Sequence, residues 1–271
     1  MIVVQLMGGM GNQMFQYACG RALALRTNKQ LYLDVGHYYA NNKRRYELEK
    51  LNIQATPIPL LDELKDRLQV INERQFNFDP NIIALRDNVI LSGGYWQSEK
   101  YFLDFASVIR EELTPKRHNL SAESLNVAMD MKNYTSIAIH VRRGDYELLK
   151  GHGVLPMDYY EQASSYLAAK GPSARFYLFS DDIEWCKREF TAFPNAHLVE
   201  HTREKGSHED LWLMSQCQHN VIANSTYSWW GAWLNDNPQK IIIAPERWFA
   251  GLHLNTQDLI PNDWIKLPIQ R

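Results

Sequence analysis

The amino-acid sequence predicts an α/β fold of two Rossmann-like domains in series, on three observations. The chain opens as strand, glycine turn, amphipathic helix and strand, which is a βαβ start. Its second half alternates short β-branched or aromatic runs with helical segments, the pattern of a parallel sheet. A length of 271 residues, 45% hydrophobic and 22% charged, suffices for two modest cores.

In order, residues 2–7 read as the first strand, Gly8 to Gly11 as the turn, 13–26 as a helix and 30–34 as the second strand. From 38 to 88, Pro57, Pro59 and Pro80 punctuate an irregular stretch with one helical segment at 61–70. A strand at 89–92 and a helix at 99–113 close the first domain. Thr114-Pro115 then opens a polar connection, which sets the domains at 1–118 and 119–271. In the second domain strands fall at 136–141, 176–180, 220–223 and 240–244, with helices at 157–170, 183–190, 208–216 and 226–235. No repeat of fixed period occurs, which argues against a solenoid.

Composition narrows the function classes. A formal charge of −2 gives no global attraction to nucleic acid or anionic lipid, so anion binding has to come from locally placed arginines. Cys19, Cys186 and Cys217 lie far apart and read as buried free thiols, with neither a disulfide framework nor zinc spacing. Met1 to Met7 run straight into a strand without a basic, apolar leader, and no long apolar segment follows. The expectation is a cytoplasmic protein, soluble or peripheral at the inner face of the membrane. The short basic run Lys43, Arg44, Arg45 reads as a solvated loop.

Gly8-Gly9-Met10-Gly11-Asn12-Gln13 stands where α/β proteins place a ligand turn, since glycines let backbone amides approach a phosphate or sugar at a helix N-terminus. Gly9 and Gly11 match the first two glycines of a dinucleotide fingerprint, and Asp34 ends the second strand where a ribose-binding acid would stand. Met14, in place of the third glycine, is too bulky for close helix–strand packing and argues against a nicotinamide enzyme. A plain tight turn with Asn12 as N-cap is the structural alternative.

His140-Val141-Arg142-Arg143-Gly144-Asp145 leaves the end of a strand, on the side where parallel sheets bind ligands. Guanidinium forks match phosphate oxygens and stay charged, so the pair suits a diphosphate leaving group without a metal. Alternation turns adjacent side chains to opposite sides, so one arginine faces phosphate and the other pairs with Asp145 or another acid such as Glu147. Ser180-Asp181-Asp182 closes the next strand; Asp181 with Glu184 reads as a capping box, or one aspartate reaches the nucleotide. Adjacent aspartates are not the spaced pair that chelates a divalent ion beside phosphates, so no metal is expected. Asn224, Ser225 and Thr226 open a helix and offer an anion site, or serve only as caps. Trp229, Trp230 and Trp233 read as core.

Jointly, the segments Gly8 to Ala18, His140 to Tyr146, Phe179 to Asp182 and Asn224 to Leu234 resemble the bacterial α-1,2-fucosyltransferases, glycosyltransferase family 11. The resemblance spans nearly the whole chain; Met10 and Val141 stand where leucine and isoleucine are common, both apolar exchanges. It implies a GT-B fold of two facing Rossmann-like domains with a cleft between them, GDP-β-L-fucose as co-substrate without a cofactor, and an α-linked fucoside as product. The acceptor implied is a galactose-terminated oligosaccharide or lipid-linked glycan, and the reaction an inverting single displacement. By the same resemblance His140, Arg143 and above all Arg142 contact GDP, Asp210 reads the guanine edge, and Ser180, Asp181 and Asp182 border the nucleotide. Asn224, Ser225 and Thr226 hold the β-phosphate, while Gly9, Gly11, Asn12 and Gln13 line the sugar side. Asp145, with Glu147 as the other candidate, is the expected base. Eight tryptophans and fourteen tyrosines prompt a rival reading as a carbohydrate-binding module, against which the arginine pair argues.

Overall fold

The computed structural model describes residues 1–40, 44–59, 62–149, 151–169, 174–193, 195–202 and 206–269. The chain forms two units: Met1–Lys116 with Leu254–Pro261, and Arg117–His253 with Asn262–Arg271. It therefore passes between units three times, where the sequence suggested one passage near residue 118. Asp258, on the returning segment, accepts from the Phe78 amide at 3.0 Å and pairs with Lys100 at 2.5 Å.

The first unit contains β1 (Ile2–Gln5), α1 (Met10–Thr27), β2 (Leu31–Asp34), α2 (Gly36–Ala40), β3 (Thr56–Ile58), α3 (Asp62–Lys65), β4 (Gln69–Asn72), α4 (Pro80–Ala84), β5 (Val89–Ser92) and α5 (Ala106–Glu112). Its sheet is parallel throughout, in the order β3-β2-β1-β5-β4. Helix α1 buries nearly its whole first four turns and packs so closely on β1 that a Cβ on Gly20 would come within 2.2 Å of Val4 Cγ2. Two sequence expectations are corrected here. Residues 61–70 are a short helix followed by edge strand β4; Leu61 lies outside the described residues. The span 99–113 is two 3-10 turns, Glu99–Tyr101 and Leu103–Phe105, before α5, because Ser98 caps a turn at Lys100 and Phe102 leaves the helical region.

The second unit contains α6 (Ala122–Met131), β6 (Thr135–Val141), α7 (Met157–Ala168), β7 (Ala174–Ser180), α8 (Ile183–Glu189), β8 (Ala196–Leu198), α9 (Ser207–Gln216), β9 (His219–Val221), α10 (Thr226–Trp233), β10 (Ile242–Pro245) and β11 (Ile265–Leu267). The order β11-β10-β9-β6-β7-β8, all parallel, is that of a doubly wound dinucleotide fold, with its reversal between β6 and β9. Period-2 alternation sorts the faces. Ile137, Ile139 and Val141 join Tyr159, Tyr160, Ala163 and Leu167 of α7 in one buried cluster. Each Ile, Val or Leu side chain among them contributes about 1.5–3 kcal/mol on burial. His140, on the other face, lies against Tyr227 of α10 with ring centroids 5.6 Å apart. Trp229, Trp230, Trp233 and Trp264 form a buried aromatic cluster, as core rather than platform. Helix α6, edge strands β8 and β11, and the end of the predicted helix at Lys170 were the parts not read correctly from sequence; Lys170 itself lies outside the described residues. All three cysteines are free and buried.

Candidate functional site

In open parallel sheets the ligand crevice lies outside the carboxyl ends of the strands where the order reverses. In the second unit that places the site at the ends of β6 and β9, and there the arginine pair leaves β6. Arg142 lies 2.6 Å from Asp145 and 3.2 Å from Asp181, and its guanidinium is 5.1 Å above the Tyr146 ring. Arg143 pairs with Glu147 and, at 3.5 Å, with Asp182, and stacks 4.3 Å from Trp185. Two cations thus face four carboxylates, a formal +2 − 4 = −2. Both arginines are anchored, Arg143 by the closer ring contact and Arg142 by the two aspartates.

Asp181 is not the helix cap that the Asp181–Glu184 spacing suggested. Its carboxylate accepts from the Arg143 amide at 2.9 Å and pairs with Arg142. The cap of α8 is Asp182, accepting from the Trp185 amide at 3.0 Å, and Ser180 Oγ accepts from the Asp182 amide at 2.9 Å. A Cβ on Gly144 would lie 2.4 Å from Asp181 Oδ2, so a side chain here would displace that carboxylate.

His140 is buried, with Nδ1 lacking a hydrogen-bond partner among the described residues; burial, then the charge of Arg142, pushes its pKa down to about 3. It is a neutral imidazole. Asp210, near the start of α9, accepts from Thr202 Oγ1, and burial pushes its pKa up to about 6 against that hydrogen bond, with the Glu209 charge adding to the rise. Beside it, burial raises and hydrogen bonds from Ser121 and Ser124 lower Glu209, with a net shift downward. Glu209 is therefore the settled structural carboxylate and Asp210 the unsettled one.

Ser225 is the N-cap residue of α10, yet its side chain makes no capping bond, and Thr226 is the first helical residue. Asn224 does something else. Its Nδ2 donates to the carbonyls of His152 at 3.0 Å, Gly153 at 3.1 Å and Trp248 at 3.0 Å, while Oδ1 is buried without a partner among the described residues. This amide ties two loops to the end of β9. A small cavity of about 140 Å³ lies here, lined by His152, Leu155, Asn224, Arg247, Ala250 and Ile269. A larger cleft, about 700 Å³, opens at the amino ends of the strands around Thr135 and His219, away from the arginines.

The glycine turn of the first unit is also built for its own fold. Gly8 has φ +78°, and a Cβ there would meet Asn12 Nδ2 at 2.6 Å. Helix α1 starts after Gly9, so Asn12 lies inside it, receives a hydrogen bond from Gln97 at 2.9 Å and is not the cap. The Met10 amide is bound by the Glu47 carboxylate at 3.1 Å, which places a negative charge of the protein itself where a phosphate was conceivable. Gln13 is fully buried, donating to the Gly8 and Arg45 carbonyls and accepting from the Glu47 amide. Of the four residues expected on the sugar side, Gly11 and Gln13 are buried and Gly9 and Asn12 partly exposed. Asp34 accepts from Gln5 and from the Gly36 amide, a structural role and not a ribose contact. Lys43 lies outside the described residues.

Sequence reasoning missed Tyr146, His152, Tyr227 and Phe249 as members of the site. His152 stands in the loop 147–155, of which Lys150 lies outside the described residues. The rings of Tyr146 and His152 are 4.7 Å apart, and those of His152 and Phe249 5.7 Å.

Two parallel α/β units, the second with arginines and a helix N-terminus at its switch point, define a protein of the GT-B glycosyltransferase type. The sequence model of Glycosyl transferase family 11 matches residues 1–268, and the chain belongs to that family. It is 35% identical to an α-1,2-colitosyltransferase of Escherichia coli, with 98% of each chain covered. It is 33% identical to the O-antigen biosynthesis glycosyltransferase WbnK of Escherichia coli, covering 97% of this chain and 99% of that one. Human galactoside α-(1,2)-fucosyltransferase 1 is 27% identical over 84% of this chain and 63% of its own length. Among solved structures, the NodZ α-1,6-fucosyltransferase soaked with GDP-fucose gives a TM-score of 0.52 at 15% identity, covering 86% and 92%. Arabidopsis thaliana FUT1 with GDP gives 0.53 at 13% identity, covering 91% and 71%. These share the fold. No helix among the described residues is long and apolar enough to cross a membrane.

Proposed function

We propose that this chain transfers L-fucose from GDP-β-L-fucose to the 2-hydroxyl of a terminal β-galactose, with inversion at the anomeric carbon and without a metal. The observation that carries the reading is the arginine pair at the switch point of a family 11 chain, where a leaving diphosphate needs fixed positive charge. Arg142 takes the diphosphate while its ion pairs with Asp145 and Asp181 keep it aimed. Asp145 then orients the arginine. The Ser225 and Thr226 end of α10 supports the β-phosphate through the helix dipole. Neutral His140 offers a ring nitrogen to the nucleoside, and ionised Asp210 accepts from the N–H edge of guanine.

A second donor is favoured by one observation, the 35% identity to an α-1,2-colitosyltransferase. Colitose is fucose without its 3-hydroxyl, so the two readings differ at one donor hydroxyl. Transfer from GDP-fucose and GDP-colitose to a panel of β-galactosides in EDTA, with the new linkage read by NMR, separates them. An α-1,2-fucoside supports the first reading, a colitoside alone the second. Absence of both, without GDP binding, removes the reading altogether.

A further inference from the structure

The loop that follows β6 carries more chemistry than its arginines. Its two exposed-side carboxylates are committed: Asp145 to Arg142 at 2.6 Å and Glu147 to Arg143. Each of these carboxylates already has a guanidinium on its oxygens, which occupies part of its accepting capacity. At the far end of the same loop stands His152, half-buried, and among the described residues neither ring nitrogen has a hydrogen-bond partner.

Its placement is fixed from several sides. The His152 amide donates to the Leu149 carbonyl at 2.9 Å, and its own carbonyl accepts from Asn224 Nδ2 at 3.0 Å and from the Ala250 amide at 3.2 Å. Gly153 follows at φ +76°, where a Cβ would strike Ala250 at 2.5 Å, so the chain turns sharply after the histidine. The ring is bracketed by Tyr146, at 4.7 Å, and by Phe249, edge-on at 5.7 Å. Tyr146 in turn lies under the Arg142 guanidinium at 5.1 Å. One aromatic ring therefore separates an imidazole with unused nitrogens from the arginine assigned to the leaving diphosphate.

We propose that His152 is the general base of the transfer, taking the proton of the acceptor hydroxyl, with Asn224 as its positioning residue. The inference rests on the glycosyl-transfer reading above. As the acceptor oxygen bonds to the anomeric carbon, its proton passes to the imidazole; the bond from that carbon to the phosphate oxygen breaks, and its electron pair leaves with GDP. The imidazolium returns its proton to solvent. The charged groups facing the ring are Asp145 and Arg142 on its own loop and Arg247, which lines the same small cavity. Burial holds the imidazole below the ordinary histidine range; Asp145 raises it and Arg142 lowers it, so it is a neutral acceptor at pH 7.

The test compares wild type, His152→Gln, His152→Ala and Asp145→Asn, with kcat, KM for both substrates, GDP affinity by calorimetry and a pH profile from 5 to 9. Expected for His152→Gln is a fall in kcat of about 10²–10⁴-fold with GDP affinity unchanged. Wild-type kcat at saturating donor and acceptor should drop as pH falls through the histidine pKa, because the protonated ring accepts nothing; that acid limb in kcat should vanish in His152→Gln and persist, moved to lower pH, in Asp145→Asn. Added imidazole should restore part of the rate to His152→Ala, which a merely structural histidine would not allow. A His152→Gln rate within threefold of wild type, or an acid limb that disappears with Asp145→Asn instead, overturns the proposal. Wild type that binds GDP yet transfers no sugar sinks the underlying reading and this base with it.

Discussion

Replacing Arg142 with alanine tests the site most directly. The guanidinium sits 2.6 Å from Asp145 and 3.2 Å from Asp181, and its side chain is 21% exposed. Its loss takes the cluster of two arginines and four acids from −2 to −3, as +1 − 4. A departing diphosphate that gains about one charge some 5 Å from a guanidinium is stabilised by roughly 3 kcal/mol at an effective dielectric of about 20. That corresponds to about two orders of magnitude in rate and agrees with the ~10²–10³ cost of deleting one preorganised charge-stabilising donor. Initial rates at saturating donor and acceptor, in EDTA, should fall about hundredfold for Arg142→Ala. Arg142→Lys should regain only part, since it restores charge without the fork. Arg143→Ala should cost less than tenfold, because Arg143 is stacked on Trp185 and paired with Glu147. Arg142→Ala within threefold of wild type, beside a hundredfold loss in Arg143→Ala, would refute the assignment.

Asp210→Asn should act in opposite directions on binding and stability. With its pKa raised to about 6, the ionised form is the costly one: native stability from this group is full below its unfolded pKa and is lost as pH rises through 6. The variant should melt higher than wild type at pH 8 and alike at pH 4, while GDP affinity of wild type alone should weaken below pH 6; calorimetry and thermal melts read both, and pH-independent wild-type affinity contradicts the guanine role. Asn224→Asp sets a carboxylate against the carbonyls of His152, Gly153 and Trp248, and should destabilise the second unit by roughly 3 kcal/mol or more, read by urea unfolding. Gly20→Ala should cost about 1–3 kcal/mol despite better helix propensity, because its Cβ meets Val4 at 2.2 Å; an unchanged midpoint would mean α1 shifts off β1 freely.

Much was legible in the residues alone. The βαβ opening, the parallel second sheet and the positions of Arg142, Arg143, Asp181 and Ser225 at strand or helix ends follow from local periodicity and turn chemistry, which neighbours in sequence encode. The family motifs are local for the same reason. Edge strands β3, β4, β8 and β11 were illegible because three or four residues, partly exposed, carry no clear period and are held by the adjacent strand. Helix α6 was hidden in a polar stretch whose cap, Ser121, and buried partner, Glu209, are 88 residues apart.

Sequence by itself determined which residue types reach the carboxyl ends of the strands, hence the α/β class and the anion chemistry. Tertiary structure alone decided what each polar group touches. Asn12, Gln13 and Asn224 look like ligand contacts in sequence, yet their amides are engaged by Gln97, by carbonyls at 8 and 45, and by carbonyls at 152, 153 and 248. It was packing likewise that tied Asp145 to Arg142 and set the His152 ring between two others. A buried polar group bonds to whatever the fold brings within about 3 Å, and that partner is set by long-range contacts, not by its neighbours along the chain.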